Sequence, residues 1–183
     1  MKVRGVLLKA RVLWVVKHHG EGGMEKVKPL LTPQTLQTVK EGVFSSTWYP
    51  LEQLVDINVA IDRVFGRGDY ELCEELGRFS CESNIPTIYR LFFAVGSISY
   101  IIRRTGAAWR VSYDTGNLVV LDSSSNNVRF RMEGDFPRHR AHCIGLRGWI
   151  LQAGQLSGAK VMKASEKCRC WKDPECEFDF TWK

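Results

Sequence analysis

The sequence predicts an α+β fold: a helical N-terminal half followed by an antiparallel sheet with a long helix packed across it. Three observations carry that expectation. Apolar residues recur at helical spacing as far as Trp109, and from Arg110 they alternate at every second residue. Asp114-Thr-Gly-Asn117 and Ser123-Ser-Ser-Asn-Asn127 separate the alternating runs as hairpin turns. A helix-length apolar stripe then opens at Phe136-Pro137 and is followed by two more extended segments, so the second half reads β-β-β-α-β-β.

Val3 to His19 is the first helix, stopped by Gly20-Glu-Gly-Gly23. Thr32 caps a short helix from Pro33 to Glu41, with Pro33 at its first position. Trp48-Tyr49-Pro50 leads into an amphipathic helix marked by Leu51, Leu54, Val55, Asn58, Val59, Ile61 and Val64. Gly66-Arg-Gly-Asp69 is a tight connection with Asp69 capping the next helix, Tyr70 to about Ser83, which Ile85-Pro86 breaks. Ile88 to Phe93 continues helically, and a Ser97-capped helix reaches Trp109. Val111–Tyr113, Leu118–Leu121 and Val128–Met132 form the meander, and Phe136 to Ser157 the long helix, ended by Gly158. Strand 159–168, the turn Lys172-Asp-Pro-Glu175 and strand 176–182 close the chain, with Cys176, Phe178, Phe180 and Trp182 alternating against Glu177, Asp179 and Thr181.

At 183 residues, 44% hydrophobic and 25% charged, the chain is expected to be a single domain, with 1–109 mainly helical and 110–183 sheet plus helix. A net charge of +6 is mildly basic, but no Lys/Arg-rich run or nucleic-acid motif accompanies it, so nucleic acid is not an expected partner. The opening apolar run is interrupted by Lys9 and Arg11 and is too short to span a bilayer, so no membrane association is expected. A cytoplasmic, reducing compartment is expected, where six cysteines are thiols or metal ligands rather than a disulfide framework.

Two constellations carry chemistry. The closing hairpin brings Cys168 and Cys176 together, and Cys143 lies on the helix that crosses the same sheet. Tetrahedral zinc requires about four ligands, and His139, four residues before Cys143 on the same helical face, is the best-placed partner. The alternative is that Cys143 is a small buried hydrophobe and the hairpin thiols simply pack. The second constellation is aromatic: Trp48, Tyr49, Tyr89, Phe92, Phe93, Tyr100, Trp109 and Tyr113 fall where the helical half meets the sheet. They form either an ordinary core or the lining of a cavity for an apolar small molecule. No nucleotide fingerprint, zinc-protease motif or nucleophile motif appears, so no nucleotide cofactor is expected, and His18-His19 suit a helix C-terminus.

Phe136 to Trp182 resembles the 4-vinyl reductase domain, a module related in fold to haem-nitric-oxide-binding-associated and vesicle-tethering proteins. The helix bearing Cys143 and the run Cys168-x7-Cys176-Glu-Phe carry that resemblance. Over nearly its whole length the chain also resembles an uncharacterised, often paralogous delta-proteobacterial family. That likeness rests on Trp48-Tyr-Pro50, Ile61-Asp-Arg63, Gly66-x-Gly-Asp69, Glu75-Leu-Gly-Arg-Phe79, Ile88-Tyr-Arg-Leu-Phe92 and Trp109. The resemblance implies a structural zinc held by Cys143, Cys168 and Cys176. Arg140 replaces the family's glutamate and cannot ligate, leaving His139 or Cys170 as the substitute. No haem is expected, because neither histidine pair sits in an axial-ligand motif. The function the resemblance implies is a non-enzymatic sensor or regulatory domain for a hydrophobic small molecule, homodimeric and signalling through a partner protein. The alternatives are an adaptor with a vestigial pocket and a reductase-like enzyme.

Overall fold

The computed structural model describes residues 1–84, 105–160 and 162–183. Its class is the expected one, α+β with a helical N-terminal half and antiparallel sheets. Strand β1 (Lys2–Arg4) pairs antiparallel with β2 (Trp48–Pro50) in a two-stranded ribbon at the N-terminus. The helices of the first half are α1 (Gly5–His19), α2 (Gly23–Val27), α3 (Pro33–Glu41), α4 (Leu51–Phe65) and α5 (Leu72–Asn84). After α6 (Thr105–Ser112) come β3 (Asn117–Ser123) and β4 (Asn127–Glu133), then α7 (Arg140–Leu156), β5 (Met162–Lys167) and β6 (Cys176–Trp182).

The main sheet has the order β3-β4-β6-β5, antiparallel throughout. Its inner face is built from alternate residues: Val128, Phe130 and Met132 of β4 lie directly opposite Phe180, Phe178 and Cys176 of β6, and all six are buried. On the outer face Arg131 stands opposite Glu177 and pairs with it at 2.7 Å. The sequence-predicted strand at Val111–Tyr113 is instead the last two residues of α6 and Tyr113 just beyond it. Tyr113 makes a single bridge to Val3, so the alternation there reflects a helix end meeting the β1–β2 ribbon. Since Val3 also pairs with Tyr49, strand β1 sits between Tyr49 and Tyr113.

Helix α7 packs on α5 at backbone contact. A Cβ on Gly77 would lie 1.9 Å from the Gly145 carbonyl oxygen, and one on Gly148 would lie 2.0 Å from that of Glu74. Glycine at these two points is what allows the helices to approach so closely. Ion pairs flank the crossing: Arg147 reaches Glu74 at 2.7 Å and Glu71 at 3.1 Å, and Arg140 reaches Glu71 and Glu166 at 3.2 Å each.

Candidate functional site

The predicted thiols do converge. Cys143 comes from α7, Cys168 follows β5 and Cys176 opens β6; their sulfur atoms lie within 4.8 Å of one another, with Cys143 and Cys168 at 3.6 Å. The turn chemistry places them. Lys172 takes a left-handed φ of 72°, and the Asp173 carboxylate accepts the backbone N–H of Cys168 at 2.8 Å. The hydrogen bonds that Cys143 shares with Cys168 and Cys176, together with its burial, push its thiol well up. The hydrogen bonds it shares with Cys143 and Cys176 pull Cys168 below the ordinary thiol range.

The expected zinc site is not supported. Tetrahedral zinc needs a fourth ligand, and among the described residues the cluster ends at three. His139 is the N-cap of α7, where its Nδ1 accepts the Ala141 N–H at 3.1 Å. Cys170 is exposed, and Arg140 is engaged with Glu166 and Glu71. The three buried thiols are therefore a packed cluster joining α7 to the sheet.

The aromatic candidates divide. Trp109 stacks on Tyr113 at 4.1 Å between ring centres, both buried, and the Trp109 indole N–H donates to the Thr115 carbonyl. Trp48 and Tyr49 lie in the β1–β2 ribbon, Trp48 under Arg4 and Tyr49 with its hydroxyl accepting the Phe44 N–H. Tyr89, Phe92, Phe93 and Tyr100 lie outside the described residues.

Sequence reasoning passed over the polar groups buried around Tyr113. Its hydroxyl meets His142 Nε2 at 3.0 Å, and His142 Nδ1 is buried without a partner among the described residues. Burial first, then the charges of Arg138 and Arg11, lower the His142 pKa to about 4, so the ring is neutral and accepts the tyrosine hydroxyl. On α1, Arg11 is 4% exposed and donates through Nε to Asn58 Oδ1 at 2.8 Å. Its pKa falls to about 10 through burial. The signal was present: Arg11 shares the helical face of Leu7, Leu8, Trp14 and Val15, and Asn58 lies in the apolar stripe of α4.

A groove of about 360 Å³ runs along α4, lined by Leu30, Leu51, Val55, Val59 and Ala60 and closed by Pro137, Arg138 and His139. Glu52, Asp56 and Arg63 complete its walls.

This architecture is that of the H-NOX domains. The chain matches the Fe(II) unliganded H-NOX protein from K. algicida with a TM-score of 0.76 at 9% identity, covering 98% of this chain and 96% of that one. An H-NOX protein from S. oneidensis in the Fe(II)NO ligation state matches with a TM-score of 0.74 at 12% identity, over 98% and 99%. A third structure, described by heme redox potential and porphyrin distortion, matches with a TM-score of 0.67 at 12% identity, over 98% and 95%. At these identities the likeness establishes a shared fold. No protein-family model matches the sequence, and no curated protein matches it.

Two expectations are thereby corrected. The resemblance to the 4-vinyl reductase domain gives way to the H-NOX fold, matched over the whole chain rather than its last third. The implied exclusion of haem falls with it, since structures of this fold are described by their Fe(II) ligation and heme redox potential. The chain's own histidines can be tested against such a group, because all four are described. His18 is held by the Trp14 carbonyl and stacked on Trp14, and His19 lies flat on Phe65. His142 is sealed against Tyr113, and His139 caps α7 through its Nδ1. Among the described residues His18 and His142 are thus held by hydrogen bonds, His19 by ring stacking and His139 by its helix cap, and none stands in an axial-ligand motif.

Proposed function

We propose that the chain is a non-enzymatic sensor domain that binds a hydrophobic small molecule between its helical half and its sheet. The observation that carries this reading is the match to H-NOX structures across 98% of the chain, which include a liganded state. The Trp109–Tyr113 stack and the Tyr113–His142 hydrogen bond supply an aromatic wall with one polar contact, the usual make-up of a small-molecule site. Trp48, Tyr49, Tyr89, Phe92, Phe93 and Tyr100 complete the proposed lining. Ligand binding would shift the packing of α6 and α7 against the sheet, and the change would pass to a partner protein or a second copy of the chain. The reading places this sensor in the cytoplasm. No helix among the described residues is long and apolar enough to cross a membrane.

The test is native mass spectrometry and absorption spectroscopy of the purified protein, followed by melting curves with haem and with a panel of apolar small molecules. A copurifying ligand, or a compound that raises the melting temperature in the wild type and not in Trp109→Ala, supports the sensor. A protein that stays empty, shows no response to haem or the panel, and forms a stable dimer would favour an adaptor.

A further inference from the structure

The groove along α4 lies apart from the aromatic wall and has a chemistry of its own. Its floor is apolar: Val55, Val59 and Ala60 from α4 and Leu30, which is 46% exposed, from the short 3-10 turn between α2 and α3. One wall is the segment Pro137-Arg138-His139. The Arg138 guanidinium is held rigidly there, donating to the carbonyls of Phe136, Met132 and Gly134 at 3.0–3.2 Å and lying 3.6 Å over the Phe136 ring. No carboxylate balances its charge among the described residues, and its Nε is buried without a partner. Because His139 Nδ1 accepts the Ala141 N–H, the neutral ring carries its proton on Nε2, which is left as a donor. Arg63, on the last turn of α4, makes no hydrogen bond or ion pair among the described residues.

Cationic and N–H donor groups thus meet an apolar floor in one groove. The acidic residues lie toward the other end. Asp56 is occupied by the Thr32 N–H and hydroxyl, at 2.9 and 2.8 Å, and Glu52 is about 16 Å from Arg63 along the helix axis. A second anionic group at that end would be repelled. We propose that this groove binds a medium-chain aliphatic monocarboxylate, its carboxylate among Arg63, Arg138 and His139 and its chain along Val59 and Val55 toward Leu30. Arg63 suits this task because its planar fork, without a partner among the described residues, matches the two oxygens of a carboxylate, while Arg138, fastened to backbone carbonyls, adds its positive charge. The groove's volume falls in the ordinary range for small-ligand sites.

Octanoate and 1-octanol, titrated calorimetrically into the full chain, test the proposal. The wild type should bind octanoate about ten-fold more tightly than octanol. Arg63→Glu, an exposed change that the fold tolerates, should remove that preference. Val55→Trp, which fills the floor, should abolish binding of both, with circular dichroism confirming that each variant is folded. The proposal is overturned if octanoate does not bind at millimolar concentration or if octanol binds equally well. It is also overturned if folded Arg63→Glu and Val55→Trp proteins bind octanoate like the wild type, which would place the ligand elsewhere.

Discussion

Acidification from pH 7 to pH 4 is expected to destabilise the protein through a single buried ring. His142 is 2% exposed, its Nε2 is bonded to Tyr113, and Arg138, Arg11 and His139 all oppose a positive charge on it while Cys176 alone favours one. An unfolded histidine titrates near 6.5, whereas burial holds the folded ring neutral to about pH 4. Above pH 6.5 the ring is neutral in both states and contributes nothing to the pH dependence. Between 6.5 and 4 the unfolded chain gains a proton that the folded chain refuses, so stability falls by about 1.4 kcal/mol per pH unit. Below pH 4 the loss levels off at about 3 kcal/mol. Urea unfolding of the wild type and His142→Gln at pH 7, 6, 5 and 4 isolates this contribution, since the remaining groups titrate in both proteins. The difference in stability between them should shift by about 3 kcal/mol in favour of the variant across that range. Parallel pH profiles would show that the ring is not held neutral, and the assignment of its burial would fail.

Glycine-to-alanine changes at the α5–α7 crossing should separate by position. Gly77→Ala and Gly148→Ala drive a methyl into a backbone carbonyl and should each cost about 3 kcal/mol in chemical denaturation. At Gly145 a Cβ would meet nothing nearer than 3.5 Å, so Gly145→Ala should be neutral within about 1 kcal/mol. Replacing the Glu166 carboxylate, 5% exposed between Arg140 and Arg147, by glutamine should cost only about 1 kcal/mol, because both arginines keep Glu71 and Arg147 also keeps Glu74. Native protein should react rapidly with an aromatic disulfide reagent at Cys170 alone, the other five thiols reacting only on unfolding. Fast modification of Cys143 would contradict the packed cluster.

Much of the fold was legible because its elements carry strong periodicity. The α4 stripe, the Thr32 cap, the Gly20 stop and the alternation of Cys176 to Trp182 depend on neighbours a few residues away, and the structure places each as expected. Val111–Tyr113 misled because three residues cannot distinguish a strand from the end of a helix; the bridge to Val3, more than a hundred residues away in sequence, decided the matter. The thiol cluster was also legible, since a hairpin returns Cys176 to Cys168 and α7 crosses above them. That His139 would not join them was not legible, because its fate depended on whether it would stand in the helix or cap it.

The sequence by itself determined the order and type of most elements, the inward faces of β4 and β6, and the return of Cys176 to Cys168 across a turn, all consequences of local spacing. Tertiary structure alone decided how those faces combine. Arg140 meets Glu166 and Glu71 instead of a metal, Arg11 and Asn58 are sealed together in the core, and the Arg138 guanidinium is fastened over a groove on α4. Each of these rests on contacts between residues brought together by packing, whose energies depend on burial and distance that no local pattern encodes.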